Sequence, residues 1–271
     1  MKVLFIHQNF PGQFRHIAAH LARQPGCQVL AIGRDSAPGL PGVELLRYHP
    51  HRAASPQTHP YARSFEDAVL HGQQVLRLLL ELKSRGYRPD AIVAHPGWGE
   101  TLYAKDAFPN ARLIHFCEYY YQTQGADLGI DPEFPVSIDD EARVRSRNAL
   151  HLLNLENCDL GITPTHWQYS LHPAAYRDKI TIIHEGIDTE NLGPDPTATL
   201  ELPNEQVLRG GIPSSPTWRA TSNRIAVFTS SCVSCRKSYV STRLARWSWW
   251  AETTSVMAVG PRMRPIGVRR C

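Results

Sequence analysis

Five short segments collect residue types that could do chemistry, four of them at turns rich in glycine or proline. The first, Gln8-Asn-Phe-Pro-Gly-Gln13, sets the amides of Asn9 and Gln13 around Gly12. A glycine there lets backbone N–H groups and a helix N-terminus approach an anionic or hydroxyl-bearing ligand, or simply makes the turn. It is not GxGxxG, so a dinucleotide fingerprint is missing. The second, His95-Pro-Gly-Trp-Gly-Glu100, offers His95, close approach at Gly97, a flat ring at Trp98 and an acceptor at Glu100. Its alternative is a loop whose Trp98 packs as core. The third, Glu118-Tyr-Tyr-Tyr121, presents a carboxylate able to bind a hydroxyl or take a proton. Tyr119 and its neighbours could line a cleft, with at least one of the three in the core. The fourth, Thr163-Pro-Thr-His-Trp-Gln168, has Thr165 where a helix N-cap belongs. The fifth, Glu185-Gly-Ile-Asp188, puts Glu185 and Gly186 at a turn. His16 and His115 read as structural.

The elements that must position these segments alternate. Lys2–His7 is an apolar run of strand formers, and Phe14, Ile17, Ala18 and Leu21 then recur at helical spacing. Cys27–Ile32 reads as a second strand, so the first 30 residues or so make a βαβ unit. A short strand at Val43–Tyr48 follows. Phe65–Arg85 reads as a long helix with Ala68, Val69, Val75, Leu76, Leu79 and Leu80 facing inward, ended by Gly86 and Pro89. Asp90–His95 is a strand, Glu100–Phe108 a short helix and Arg112–Phe116 a strand. Gln122–Pro135 is loop. Asp139–Asn157 is a helix with an acidic start, as the helix dipole favours. Leu160–Thr163 is a strand, Thr165–Leu171 a helix start and Lys179–His184 the last strand. Strands that are near-continuous apolar runs are buried on both faces. The expected fold is therefore α/β, a doubly wound Rossmann-like parallel sheet. In such folds ligands sit beyond the carboxyl ends of the strands, where all five segments fall.

Composition narrows the classes. The formal charge of +4 is uneven: residues 1–209 hold 19 basic against 24 acidic residues, and residues 210–271 hold 10 against one, Glu252. The basicity thus belongs to the tail and argues no nucleic-acid partner for the body. Cys27, Cys117 and Cys158 are scattered, a reduced pattern and not a disulfide framework. Cys232 and Cys235 form a CxxC without a partner pair, so no metal constellation stands out. No segment reads as a signal peptide or a membrane span. The organisation expected is a domain over 1–193, a linker over 194–209 and an aberrant basic tail over 210–271. The tail shows no helical or strand period yet holds four Trp, unlike an ordinary disordered tail. Shifting the codons of Trp247–Glu252 by two bases permits Val-(Leu/Met/Val)-Val-Gly-Gly, a buried strand ending in a turn. A frameshift near Arg209–Gly211 is the expectation, and the DNA sequence across that stretch tests it.

With these segments in hand, residues 1–209 resemble the N-terminal domain of family-4 glycosyltransferases of the GT-B fold. Met1–His16, His95–Glu100, Glu118–Tyr121, Thr163–Gln168 and Ile182–Asp188 carry the resemblance. It implies transfer of a sugar, with retention, from a nucleotide diphosphate sugar to a glycan or lipid-linked acceptor, as in polysaccharide biosynthesis. It implies no cofactor beyond that donor and no bound metal. Glu118 falls roughly where many relatives carry a catalytic histidine, so it is the candidate catalytic residue. Asn9, Gly12, Gln13, His95, Gly97, Trp98, Glu100, Tyr119, Thr165, Glu185 and Gly186 become candidate substrate contacts. Trp98 would stack on a sugar ring, Glu100 accept its hydroxyls and Gly186 approach donor phosphates. The cysteine pattern makes a cytoplasmic protein the expectation, and relatives often reach the inner face of the membrane peripherally through basic patches. The donor half is expected to be a frameshifted remnant here, which leaves the 271-residue chain with little or no turnover. The alternative is a non-catalytic Rossmann-like module that binds a glycan or nucleotide.

Overall fold

The computed structural model describes residues 1–129, 135–193, 199–201 and 207–209. The tail expected over 210–271, and the reading-frame argument attached to it, lie outside the described residues. The chain divides into two units, Met1–Ile187 and Asp188–Cys271.

The first unit carries seven strands: β1 (Lys2–Ile6), β2 (Gln28–Arg34), β3 (Glu44–Tyr48), β4 (Ala91–Ala94), β5 (Arg112–Phe116), β6 (Leu160–Thr163) and β7 (Ile180–Ile182). They form one parallel sheet in the order β3-β2-β1-β4-β5-β6-β7. The helices are α1 (Arg15–Ala22), α2 (Arg63–Ser84), α3 (Ala104–Ala107), α4 (Ile138–Asn157), α5 (His166–Leu171) and α6 (Ala174–Arg177). A 3-10 turn, Gly12–Phe14, leads into α1. This is the α/β Rossmann-like sheet that the alternation implied.

Period-two alternation splits the core. Leu4, Ile6, Leu30, Ile32, Ile92 and Leu113 meet Val75 and Leu79 of α2 on one face. Val3, Phe5, Ala31 and Phe116 meet Phe14 and Ala18 on the other. Helix α2 corrects one expectation: Leu79 is fully buried but Leu80 is 48% exposed. Consecutive helical residues point about 100° apart, so the inward stripe takes one of the two. The stripe also takes His71 and Gly72, which apolar counting passed over.

Several elements and boundaries differ from expectation. The helix expected at Glu100–Phe108 is shortened to α3, and α6 was not foreseen. Helix α4 starts at a capping box: Ser137 accepts from the Asp140 N–H, and the Asp140 side chain accepts from the Ser137 N–H. In the second unit, the stretch expected as linker contains an antiparallel pair, β8 (Thr199–Glu201) with β9 (Val207–Arg209). Before it, Asp188 Oδ1 accepts the N–H groups of Glu190 and Asn191.

The strand order runs 3-2-1 and then 4-5-6-7, so the chain reverses direction across the sheet between β1 and β4. Crossovers leave that junction in opposite directions, opening a crevice beyond the carboxyl ends of the two strands.

Candidate crevice at the strand junction

His7 and His95 are the first residues after β1 and β4. Each ring accepts a backbone N–H from two residues on: Asn9 N–H donates to His7 Nδ1 (2.9 Å), and Gly97 N–H donates to His95 Nδ1 (3.1 Å). A ring whose Nδ1 accepts carries its proton on Nε2 when neutral. His7 Nε2–H accordingly donates to Gln13 Oε1 at 2.8 Å. The same logic sends His95 Nε2–H to Glu118 Oε2 at 3.0 Å. Gln13 Nε2–H reaches that same Glu118 oxygen at 3.1 Å. The chain His7–Gln13–Glu118–His95 thus joins the ends of β1, β4 and β5. Burial, and then the His95 ring, hold His7 down at about 3 against the opposing Gln13 bond, so its ring stays neutral.

The glycines serve this geometry, which corrects their expected use. A Cβ on Gly12 (φ +47°) would sit 2.4 Å from His7 Nε2. A Cβ on Gly97 would sit 2.7 Å from His95 Cε1. Histidine rings, rather than a ligand, occupy the space each glycine leaves. Trp98 stacks on His95 with centroids 4.4 Å apart and meets His7 edge-on at 5.3 Å. It is half-buried, between the two readings weighed from sequence.

Glu118 is 35% exposed at its side chain. Among the described residues nothing bonds its Oε1. Its backbone carbonyl accepts from Gln168 Nε2–H at 3.0 Å. Gln168 in turn accepts the Thr165 hydroxyl at 2.7 Å, while Thr165 Oγ1 caps α5 by accepting the Gln168 N–H at 3.1 Å. Thr165 is therefore a helix cap that braces Glu118 through Gln168. Tyr119 is half-buried and bonded to Asp127; burial first, then Asp127, pushes its phenol up. A stripe on α4 holds the loops around it. Asn148 bonds both backbone groups of Tyr121, and Asn154 donates to the Pro96 carbonyl while accepting the Thr101 hydroxyl. Between them His151, held at about 3 chiefly by burial, packs against the Tyr120 and Tyr121 rings.

Glu100 does not join this group, and its expected contact with substrate is corrected. It is 1% exposed. Its Oε1 lies 2.5 Å from Tyr48 Oη, which lies 2.8 Å from His71 Nδ1. Glu185 and Gly186 also fall elsewhere. They are exposed beyond β7, three strand spacings (about 14 Å) from β4. Gly186 N–H donates to His184 Nδ1 at 3.0 Å. Asn9 contributes its backbone N–H as described. Sequence reasoning missed His7, Tyr48, His71, Gln168 and the α4 stripe. The signal for His7 was there: His7-Gln-Asn9, His95-Pro-Gly97 and His184-Glu-Gly186 repeat one spacing at three strand ends. Among the described residues, no group of three His, Cys, Asp or Glu side chains is placed to hold a metal. No helix of the described residues is long and apolar enough to cross a membrane.

Together these features define a parallel α/β domain with a polar, aromatic-flanked crevice at its strand junction. Residues 25–192 match the glycosyl transferase family 4 group, and the chain belongs to that family. No curated protein matches the chain. Among solved structures it is similar to UDP-GlcNAc 2-epimerase from Neisseria meningitidis (14% identity, 67% of this chain and 45% of that one, TM-score 0.37). It is also similar to the catalytic domain of starch synthase IV from Arabidopsis thaliana (15%, 70% and 52%, TM-score 0.41). A third is sucrose-phosphate synthase from Thermosynechococcus elongatus (13%, 69% and 91%, TM-score 0.39). The chain spans less than half the length of the epimerase.

Proposed function

We propose that this chain supplies the acceptor-side half of a GT-B glycosyltransferase. The reaction is transfer of a sugar, with retention, from a nucleotide diphosphate sugar to the hydroxyl of a glycan or lipid-linked acceptor. Family membership supports the class of reaction. The observation that carries the site is Glu118, partly exposed and tethered through one oxygen by Gln13 and His95, with Trp98 alongside. Two N–H donors on Oε2 fix the carboxylate and leave Oε1 to accept an acceptor hydroxyl. Trp98 is the platform for the acceptor ring, because an aromatic face suits the C–H surface of a sugar while the rim stays polar. His7 and Gln13 orient Glu118. Tyr119 borders the same strand end. The resemblance calls on no metal and on no cofactor beyond the nucleotide sugar donor.

The test uses the 271-residue chain. Neutral oligosaccharides and, separately, UDP-, GDP- and ADP-sugars are titrated by calorimetry against wild type, W98A and E118A. An oligosaccharide that binds wild type and loses about tenfold or more in affinity with each variant supports the site. Binding that ignores both substitutions removes it. Release of nucleotide diphosphate separates a transferase from a binding module, and the anomeric proton of any product reports retention.

A further inference from the structure

Glu100, Tyr48 and His71 form a second polar chain that the proposed transfer does not use. It links the loop after β4, the end of β3 and helix α2. Tyr48 Oη has one proton and lies within hydrogen-bond distance of Glu100 Oε1 and His71 Nδ1, with the Gln8 amide also bearing on it. Two arrangements satisfy both contacts with neutral His71. In one, Glu100 is ionised, Tyr48 donates to it and His71 Nδ1–H donates to Tyr48. In the other, Glu100 is a neutral acid that donates to Tyr48, and Tyr48 donates to His71 Nδ1.

Two geometric facts choose the second. Glu100 Oε2 is buried and makes no hydrogen bond among the described residues. An orphaned carbonyl oxygen is costly, but an orphaned half of a carboxylate in the interior is far more so. Next, His71 Nε2 faces Asp67 Oδ2 at 3.8 Å. The ionised arrangement would turn a lone pair toward that carboxylate; the neutral one turns an N–H toward it. A charged His71 with an ionised Glu100 is disfavoured by His71's 2% exposure and by the Arg34 guanidinium nearby, which, after burial, helps hold His71 at about 4.

We infer that Glu100 is a positioning residue that works as an uncharged acid, its O–H donating to Tyr48 and pinning the loop that carries His95 and Trp98 to β3 and α2. The groups facing this chain come from every neighbouring element: Arg34 on β2, Tyr48 on β3, His49 beyond it, Asp67 and His71 on α2, and Gln8 and His95 after β1 and β4. Burial pushes the Glu100 carboxyl up, against the opposing pull of Tyr48, its own N–H, His95 and Gln8. The residue before it fits the same purpose. A Cβ on Gly99 (φ +102°) would lie 2.0 Å from the Ala68 carbonyl oxygen, so only glycine seats Glu100 against α2.

The test is proton linkage. The unfolding equilibrium of the 271-residue chain and of E100Q is measured by denaturant titration at several values between pH 5 and 7. An unfolded glutamate has lost its proton there, whereas the folded acid keeps it. The unfolding constant of wild type relative to E100Q should therefore rise about tenfold per pH unit. A ratio independent of pH means that Glu100 is ionised in the fold, and overturns the inference. Should E100Q fail to fold, infrared spectra of wild type carrying 13C-glutamate at pH 7 decide it. A label-shifted carboxylic-acid C=O stretch supports the neutral acid; carboxylate bands alone overturn it. Asp67 and Asp127, also raised by burial, stay unlabelled. Positioning is read from the ring resonances of His95, expected to move in E100A and to return in E100Q. Resonances unmoved in E100A would refute that part.

Discussion

Glu100 and Glu118 are the same residue type, each in a short segment beyond a strand of one sheet, and they end in opposite situations. Glu118 keeps about a third of its side chain in solvent and gathers N–H donors on one oxygen. Glu100 lies under the loop with one oxygen on a phenol and the other making no hydrogen bond among the described residues. The first arrangement suits a carboxylate that meets a ligand. The second suits a neutral acid that holds a loop. One side-chain chemistry is thus divided by environment into a partly exposed carboxyl and a buried one.

The largest effect that would break this comparison is acid, because neutral buried histidines underlie both halves. His7 belongs to the Glu118 chain and His71 to the Glu100 chain, with His115 and His151 behind them; burial is the leading cause in each, and they are held at about 3, 4, 3 and 3. Each is lowered, so the unfolded state takes up protons first. Their contribution is present above pH 6.5 and is lost as pH falls toward 4, at about 1.4 kcal/mol per pH unit for each. A fall of several kcal/mol in unfolding free energy between pH 6.5 and 5 is expected by denaturant titration; a flat profile would show that these rings are hydrated.

Next comes G99A, which attacks the seat of Glu100 alone. Its Cβ collides with backbone at Ala68, and about 4 kcal/mol of stability should go. A midpoint shift worth less than 1 kcal/mol would mean that α2 yields easily. A double-mutant cycle of H95A with E118A sharpens the other side. Their hydrogen bond should appear as a coupling of about 1–3 kcal/mol in acceptor binding. Additive effects would place Glu118 outside any unit with His95. The smallest effect is T165A. Removing the α5 cap should cost about 1 kcal/mol and free Gln168 from Glu118. Loss of the cap energy with unchanged acceptor affinity would show that Gln168 needs no help.

Much of the scaffold was legible in the chain. The runs at Lys2–His7, Cys27–Ile32, Asp90–His95 and Arg112–Phe116 are apolar at consecutive positions because both faces of a parallel sheet are covered. That burial writes itself into composition, so strand existence could be read directly. The candidate crevice was legible in part. Gln13, His95, Trp98 and Glu118 were singled out, because strand ends in this architecture face the crevice. Tyr48 and His71 were not, because each sits inside an apolar pattern, and nothing local distinguishes a polar residue in a stripe from a surface one. The double use of Gln168 was hidden for a related reason. Thr165-His-Trp-Gln168 has capping-box spacing, but the Gln168 Oε1 that would accept the Thr165 N–H takes the Thr165 hydroxyl instead, while Nε2–H goes to the Glu118 carbonyl.

The linear chain alone determined the alternation of strands and helices, the parallel sheet and the turns at which chemistry could gather, since these follow from short-range periodicity and from turn residues. Only the tertiary structure decided which carboxyl faces water, which ring fills the room beside each glycine, and that Gln13 and Glu118, 105 residues apart, share a hydrogen bond. Those outcomes depend on the order in which strands pair, and pairing order leaves no mark on the local pattern of any one strand.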